Sequence, residues 1–224
     1  MFSPINFLDL DQTEHRIIFD NSVQAWDALS QIGSYLQFHL KPTIHGRIIG
    51  SAFISNNVYI GHDTVIENGA TLKGPAWIGN NCQVRSGCYI RENVIVGNGV
   101  VLGNSCEFKN CIIFNDAEIP HFSYVGDSVL GYKTHLAAGV IISNFRLDRK
   151  EVTVRMDDHL VPTGLWKFGA IIGDHVEIGC NSVVSPGSII GRNSIIYPAI
   201  HFSGFLPADS ILKFHQDTHR IYRH

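Results

Sequence analysis

Apolar side chains recur at every sixth position through much of the chain. The first run is Ile48, Ile54, Ile60, Ile66, Leu72, Ile78, Val84, Ile90, Val96, Leu102, Phe108 and Phe114. The second run is Ile172, Ile178, Val184, Ile190 and Ile196. A period of six matches neither an α-helix nor an ordinary strand and is typical of a parallel β-helix built from hexapeptide repeats. The pattern therefore predicts an all-β chain.

A second small or branched residue follows each of these positions after four residues. These residues are Ala52, Val58, Thr64, Ala70, Ala76, Cys82, Cys88, Val94, Val100, Cys106 and Ile112, then Val176, Ser182, Ser188, Ser194 and Ile200. Turn formers such as Asn68-Gly69 and Asn98-Gly99 stand between the two sets. Each hexad is therefore predicted to form one strand and one corner, with both sets facing inward. The register is lost after Phe114, and we expect functional residues in the gap before Ile172.

Three regions are predicted along the chain. Residues 1–43 form an N-terminal segment, with a helix that is capped by Asn21 or Ser22 and ended by Pro42. The apolar face of this helix is Val23, Trp26, Leu29, Ile32 and Leu36. Residues 44–204 form the β-helix, with a charged, aperiodic excursion loop at 145–167, and residues 205–224 form a polar tail.

Composition narrows the class of protein. The 224 residues are 45% hydrophobic and 17% charged, which fits one elongated domain with a sizeable core. A net charge of -3 and the lack of a basic stripe argue against a nucleic-acid partner. The five cysteines include three at inward positions, so they are interpreted as small core residues in a reducing compartment. No segment has the pattern of a signal peptide or a membrane span, so we expect a cytoplasmic protein without a membrane partner.

A ladder of cations is predicted on one face of the β-helix. Lys73, Arg91 and Lys109 each follow an inward residue and stand 18 residues apart, which places them in neighbouring turns. Stacked like charges destabilise a sheet unless acids or a bound anion offset them. Glu92 and Glu107 could provide the acids. An anion site is favoured for Arg91 and Lys109, and a structural role for Lys73, which is farther from the break in the repeat.

His121 lies where the six-residue register is lost. An imidazole titrates near neutrality, which suits it to general base catalysis, although a lone histidine is more often structural. No metal site is predicted, because His121 and His135 are fourteen residues apart and fall on different parts of a turn.

Several segments around these residues carry a family resemblance. They are Arg91, Glu107 to Asn110, His121 to Gly131, Ala138-Gly139, Asn144, and Thr163 to Asp174. This pattern resembles the C-terminal acetyltransferase domain of the bifunctional glucosamine-1-phosphate N-acetyltransferase and UDP-N-acetylglucosamine pyrophosphorylase family. The last segment is especially similar to the archaeal sugar-1-phosphate nucleotidylyltransferase branch.

The resemblance implies a left-handed parallel β-helix that forms a homotrimer. It implies that Arg91 and Lys109 hold a sugar phosphate, that His121 is the catalytic base, and that Tyr124, Asn144 and Lys150 surround the sugar. His135 takes the place of a sugar-contacting asparagine, and Ala138 and Cys180 stand at coenzyme positions. Trp166 and Phe168 in the excursion are expected to be poorly covered in one subunit, which also favours a trimer.

The predicted function is transfer of acetyl from acetyl-CoA to the amino group of a hexosamine 1-phosphate, as in the synthesis of UDP-N-acetyl sugars. The chain has no room for the family's uridylyltransferase domain, so we expect a stand-alone acetyltransferase. A separate pyrophosphorylase is then a candidate partner. Two alternatives stay open. One is a non-catalytic assembly or regulatory subunit, suggested by His135 and by Tyr197-Pro198, which stands where the family has small residues near the coenzyme. The other is an acyltransferase, N- or O-directed, that acts on a nucleotide-linked sugar.

Overall fold

The computed structural model describes residues 2–156, 158–214 and 220–221. In this part of the chain, short parallel strands wind into a β-helix of nine turns behind a helical N-terminal segment. The predicted fold class is confirmed. None of the helices in these residues has the length and apolar character needed to cross a bilayer.

The helical elements precede the strands. They are 3-10 helices at Pro4–Asn6, Leu10–Gln12, Arg16–Phe19 and Ala25–Ser30, and helix α1 at Ile32–His39. The strands of the first turns are β1 (Thr43–Ile44), β2 (Arg47–Ile48), β3 (Phe53–Ile54), β4 (Val58–Ile60), β5 (Val65–Ile66), β6 (Thr71–Leu72), β7 (Ala76–Ile78), β8 (Gln83–Val84), β9 (Tyr89–Ile90) and β10 (Val94–Val96). The central strands are β11 (Val101–Asn104), β12 (Glu107–Ile113), β13 (Glu118–His121), β14 (Tyr124–Leu130), β15 (His135–Leu136) and β16 (Ile141–Ile142). The later strands are β17 (Thr153–Met156), β18 (His159–Pro162), β19 (Ala170–Ile172), β20 (Glu177–Ile178), β21 (Val183–Val184), β22 (Ser188–Ile190), β23 (Ile195–Ile196), β24 (His201–Phe202), β25 (Phe205–Leu206) and β26 (Ile211–Leu212).

The strands form three faces of the coil. The first face has the order β2-β5-β8-β11-β13-β15-β20-β23-β26. The second face has the order β1-β4-β7-β10-β12-β14-β19-β22-β25. The third face has the order β3-β6-β9-β12-β14-β16-β21-β24. Strands β12 and β14 are seven residues long and continue from the third face to the second without a separate corner.

The inward positions of the repeat build the interior core. Leu72, Ile78, Cys88 and Ile90 have no exposed surface, and the polar inward residues such as Ser182 are equally buried. Ser182 donates its hydroxyl to the carbonyl of Tyr197 at 3.1 Å, which satisfies this polar group inside the core. The period of six thus predicted most of the interior, but Ile48 in the first turn is 42% exposed, and two later positions differ as described next.

The change of register occurs earlier than the sequence predicts. Asn110 adopts a left-handed conformation with φ of 46°, and after it Cys111 and Ile113 point inward. Ile112 and Phe114 instead face outward, so their predicted inward positions are wrong. Val94 pairs with Cys111, so this turn contains 17 residues rather than 18. The lost residue removes the corner and flips the alternation of the following side chains.

The N-terminal segment covers the second face. A column of outward apolar residues in this face is fully buried: Ile95, Ile112, Val129, Ile171 and Ile189. Phe2, Trp26 and Phe168 pack in the same apolar cluster as this column. Asp174, which is 3% exposed, accepts the backbone N–H of Asp9 at 2.7 Å and so fixes the segment to the coil. Burying these side chains stabilises the fold by about 1.5–3 kcal/mol for each large residue.

The predicted N-terminal helix begins later than Asn21 or Ser22, and its first turns are a 3-10 helix. Gln24, rather than Asn21 or Ser22, forms a capping box with Asp27, and the first turns are 3-10 before α1 begins. Val23 is 75% exposed and does not belong to the apolar face, whereas Trp26, Leu29, Ile32 and Leu36 are buried.

Two other regions differ from the expectation. The excursion contains the antiparallel hairpin of β17 and β18, and Phe168 beside it is fully buried with its ring 5.7 Å from that of Trp26. The expected exposure of Phe168 is therefore wrong, although Trp166 is 64% exposed. The coil also continues past residue 204, because β25 and β26 pair with β22 and β23. Residues 215–219 and 222–224 of the predicted tail lie outside the described residues.

Candidate active site

A polar network lies where β12 and β14 leave the third face. Lys109 follows the inward Phe108 on β12, and Gly126 is its partner on β14. Asn110 and Asp127 come next, with φ of 46° and 48°, at the two points where these strands bend toward the second face. The shortened turns therefore place an amide and a carboxylate side by side next to the predicted cation.

Asp127 is the centre of this network. It is 4% exposed, and its Oδ1 accepts a hydrogen bond from Nδ2 of Asn110 at 2.9 Å. Its Oδ2 accepts a hydrogen bond from Nδ2 of Asn144 and lies 3.4 Å from Nζ of Lys109. A buried carboxylate requires such partners, and here a cation and two amides supply them.

Tyr124 and Asn144 complete the network. Nδ2 of Asn144 donates to Oη of Tyr124 at 3.1 Å. The phenol lies over Gly126, where a Cβ atom would be 2.5 Å from Oη, so a larger residue at this position would displace the phenol. Burial raises the pKa of Tyr124, the nearby carboxylate of Asp127 raises it further, and the Asn144 hydrogen bond lowers it. The phenol thus remains protonated and can donate a hydrogen bond.

The cation ladder has acidic partners. Arg91 pairs with Glu107 at 3.0 Å and with Glu92 at 3.4 Å, the two acids that the sequence offered as an alternative to a bound anion. The hydrogen bond to Glu107 is the largest of the effects that raise the pKa of Arg91. Lys73 places its ammonium 5.2 Å from the centre of the Tyr89 ring, a cation–π contact that supports the structural role. Arg91 and Lys109 keep further donors for an anion, because a guanidinium has five N–H groups and an ammonium has three.

His121 lies at the corner between the first and third faces. The carbonyl of His121 accepts the N–H of Gly139 at 3.0 Å, the carbonyl of Ala138 accepts that of Asn181 at 2.9 Å, and the carbonyl of Cys180 accepts that of Ala199 at 2.8 Å. The predicted base and the two predicted coenzyme positions therefore occupy equivalent places in three consecutive turns. The sequence alone did not predict that these three residues stack on one another.

The backbone around His121 is held from inside. Ser123 is buried, and its hydroxyl donates to the carbonyl of His121 at 3.0 Å. Phe122 between them has φ of 53° and is 58% exposed, an uncommon conformation for a bulky residue. The imidazole of His121 is exposed, with its ring centre 6.0 Å from that of Phe122.

His135 lies on the other side of this corner. It belongs to β15 on the first face, and its Nδ1 is 2.7 Å from Oε2 of Glu177. A groove of about 420 Å³ continues from His135 along this face past Cys180 to Tyr197 and Pro198. The structure thus groups the residues that depart from the family motif in one groove, and places His135 on a different face from Tyr124.

Lys150 is exposed in the excursion, where its backbone N–H donates to Asp148 at 3.4 Å. The structure therefore brings Lys109, Tyr124 and Asn144 together, and leaves Lys150 outside their network of described contacts. Within the described residues, His, Cys, Asp and Glu side chains form no group of three that could hold a metal ion.

Comparison with known proteins gives the same relationship as the motifs. A family model for the GMPPB C-terminal domain matches residues 72–165, and one for the bacterial transferase hexapeptide matches residues 169–198. The uncharacterized acetyltransferase YaiX of Escherichia coli O6:K15:H31 is 38% identical over 154 residues, which cover 69% of this chain and 67% of that protein. The chain belongs to the hexapeptide-repeat transferase family.

Archaeal members of this family are also similar to the chain. The bifunctional protein GlmU of Methanococcus maripaludis strain S2 / LL is 40% identical over 171 residues, which cover 76% of this chain and 41% of that protein. The bifunctional sugar-1-phosphate nucleotidylyltransferase/acetyltransferase of Sulfurisphaera tokodaii is 44% identical over 92 residues, which cover 41% of this chain and 23% of that protein. The chain thus spans less than half of these bifunctional relatives. The left-handed parallel β-helix expected from the resemblance is the fold of the family.

Among solved structures, the UDP-N-acetylglucosamine acyltransferase from Campylobacter jejuni aligns with 72% of this chain and 69% of that chain. Its TM-score is 0.34 and its identity is 19%.

Asp127 and Asn110 are the site residues that sequence reasoning missed. Both residues lie in segments that carry the family resemblance. The repeat of six does not predict that they contact each other. Their seventeen-residue spacing, within the segment where the period fails, is the one signal that could have indicated a contact. The spacing becomes informative only once the short turn is known.

Proposed function

We propose that the protein is an N-acetyltransferase that moves acetyl from acetyl-CoA to the amino group of a hexosamine 1-phosphate. One observation carries the proposal. His121 stacks on Ala138 and Cys180 at one corner, and Tyr124 of the polar network follows three residues after His121 in the chain. This arrangement supports a reaction in which a base, a thioester and a polar sugar meet at the corner. The acetyltransferase names of the relatives are consistent with this reaction.

The residues have distinct roles in the proposed reaction. Arg91 and Lys109 hold the phosphate and orient the amine, since charge-assisted hydrogen bonds both attract and align an anion. Tyr124 and Asn144 contact the sugar, and Lys150 on the excursion approaches it from the outside. His135 lies across the corner and contacts the sugar on the side of the first face. Ala138 and Cys180 contact the coenzyme.

The chemical step transfers one acyl group. His121 accepts a proton from the ammonium or the attacking amine, and the amine nitrogen forms a bond to the thioester carbonyl carbon. A backbone N–H stabilises the oxyanion that develops on this carbonyl. The carbon–sulfur bond then breaks, and the proton passes to the departing coenzyme A thiolate. The products are the N-acetyl sugar phosphate and free coenzyme A, and one proton is released to water when the acceptor enters as an ammonium.

The reaction is tested with His121→Ala. Removing a general base lowers the rate by about 10² to 10⁴, so turnover should nearly disappear while acetyl-CoA binding persists. The matched variant is His135→Ala, which removes the neighbouring histidine across the corner. An inactive His135→Ala with a fully active His121→Ala would transfer the role of base to His135.

The substrate is tested with a panel of acceptors: glucosamine 1-phosphate, glucosamine, and a nucleotide-linked amino sugar. We expect acetyl-CoA consumption to be fastest with the 1-phosphate. If the nucleotide-linked sugar is preferred, the proposed acceptor is wrong and the proposed acetyl transfer stands. If the wild-type protein consumes acetyl-CoA with none of these acceptors, the enzymatic proposal is wrong and an assembly role is favoured.

A further inference from the structure

The carboxylate of Asp127 contacts two of the proposed substrate-binding side chains and is itself hidden from the solvent. Its side chain is 6% exposed, whereas that of Lys109 is 16% exposed. It touches both Lys109 and Asn144 through the same oxygen, Oδ2. A group in this place cannot itself bind a sugar, but it can fix the groups that do.

We infer that Asp127 is a positioning residue, which turns the carbonyl oxygen of Asn144 and the ammonium of Lys109 toward the substrate. This inference rests on the proposed function and deepens it. It also identifies the chemistry of one contact, because Asn144 then recognises a hydrogen-bond donor of the sugar, either a hydroxyl or the amine.

The orientation of Asn144 follows from the chemistry of its neighbours. An ionised carboxylate only accepts hydrogen bonds, so the atom of Asn144 that faces Asp127 must be the amide nitrogen. The same nitrogen donates to Oη of Tyr124. Both amide hydrogens are therefore directed to protein partners, and Oδ1 is the atom left for a ligand. An acceptor in this position selects a donor on the substrate.

The position of Lys109 is fixed in a similar way. Its ammonium lies 3.4 Å from the carboxylate, which offsets the cost of burying most of the side chain. Without Asp127, the Lys109 side chain would lose its counter-charge in the network, and its ammonium would no longer be held in one orientation. A preorganised cation binds an anion without first paying for ordering its own side chain.

Asp127 is held firmly enough to act in this way. Its backbone carbonyl accepts the N–H of Gly169 in the next turn at 2.8 Å, and its side chain receives Asn110 from the turn before. The residue is therefore clamped from both sides along the coil. Its backbone is left-handed, with φ of 48°, and its carboxylate reaches Lys109 and Asn144.

The test is Asp127→Asn, which keeps the shape and removes the charge. Asn144 can then rotate its amide, so the KM for the sugar phosphate should rise about 10- to 100-fold, the usual effect of losing a charge-assisted hydrogen bond. The KM for acetyl-CoA should stay unchanged. A matched control is Asp209→Asn, because Asp209 has φ of 58° and accepts Asn193 at 2.9 Å in the same corner arrangement, away from the site.

A swapped pair separates positioning from stability. In Asp127→Asn with Asn144→Asp, the new amide donates to the new carboxylate, and residue 144 still presents an oxygen to the sugar. The sugar KM should return to within about threefold of the wild-type value, as expected if most of the lost interaction is restored. Thermal unfolding of every variant shows whether it is folded.

The outcomes are distinct. If the wild type acetylates the sugar phosphate and Asp127→Asn behaves like Asp209→Asn, the inference is wrong and the proposed function stands. It is also wrong if the folded swap fails to recover the KM. If the wild type transfers no acetyl group, the proposed function fails, and the inference fails with it.

Discussion

His15 makes the attachment of the N-terminal segment sensitive to pH. Its side chain is 3% exposed, its Nδ1 lies 2.9 Å from Oη of Tyr35, and its ring meets that of Trp77 edge-on at 4.9 Å. Burial, with a smaller effect of the nearby His39, lowers the pKa of His15 to about 4. Protonating this imidazole in the folded state is therefore costly. The perturbation that removes the effect is His15→Gln.

The magnitude follows from the difference between the folded and unfolded pKa. The unfolded state, with a pKa of about 6.5, binds a proton before the folded state does, so stability falls as the pH falls. The contribution is complete above pH 6.5 and is lost progressively toward pH 4. Each pH unit between these values costs about 1.4 kcal/mol, so at pH 5 the loss is about 2 kcal/mol.

The assay is equilibrium unfolding in urea at pH 7.5 and pH 5, followed by the fluorescence of Trp26 and Trp77. Both residues report on this region, because Trp26 is buried in the apolar cluster and Trp77 contacts His15. The wild type should lose about 2 kcal/mol more than His15→Gln between the two pH values. The control His62→Gln removes an exposed histidine and should follow the wild type. Equal losses for the wild type and His15→Gln would show that His15 does not cause the loss of stability at low pH.

Two further predictions concern the ligand and the assembly. Replacing Arg91 or Lys109 by alanine should weaken binding of the sugar phosphate by about 1.5–3 kcal/mol, measured by calorimetry, with little change in thermal stability; a large loss of stability with unchanged affinity would show that the ladder is structural. Light scattering should give about three times the chain mass of 24.9 kDa, because Leu147 and Trp166 on the excursion are 98% and 64% exposed. A monomer at micromolar concentration would exclude any site built between subunits.

The interior of the coil could be predicted from the sequence, because a side chain that points inward must be apolar or small in every turn. The columns that begin at Ile60 and Val58 obey this constraint until β12. The outward column of Ile112 and Val129 could not be recognised. These residues are apolar because the N-terminal segment covers them, and no local pattern distinguishes an outward residue that is covered from an inward one.

The candidate site was predictable only where the residue types carry the chemistry. His121, Arg91 and Lys109 stand out by type and by spacing, and the acidic partners of Arg91 followed from the ladder. Asp127 did not stand out, because an aspartate beside a glycine is typical of an ordinary turn. Its burial depends on the shortened turn at Asn110. That turn can be recognised only when the residues that pair across the coil are known.

The continuous strands β12 and β14 connect the second and third faces rigidly. On β12, Lys109 at one end of the bend and Ile112 at the other are only three residues apart, and the strand is paired along both edges. The apolar packing that holds Ile112 therefore also sets the height and direction of Lys109 on the third face. On β14, Val129 stands in the same relation to Gly126 and is two residues from Asp127. Residues 2–43, the described part of the N-terminal segment, contribute no side chain to the polar network, but they pack against Ile112 and Val129 and so support the strands that carry it.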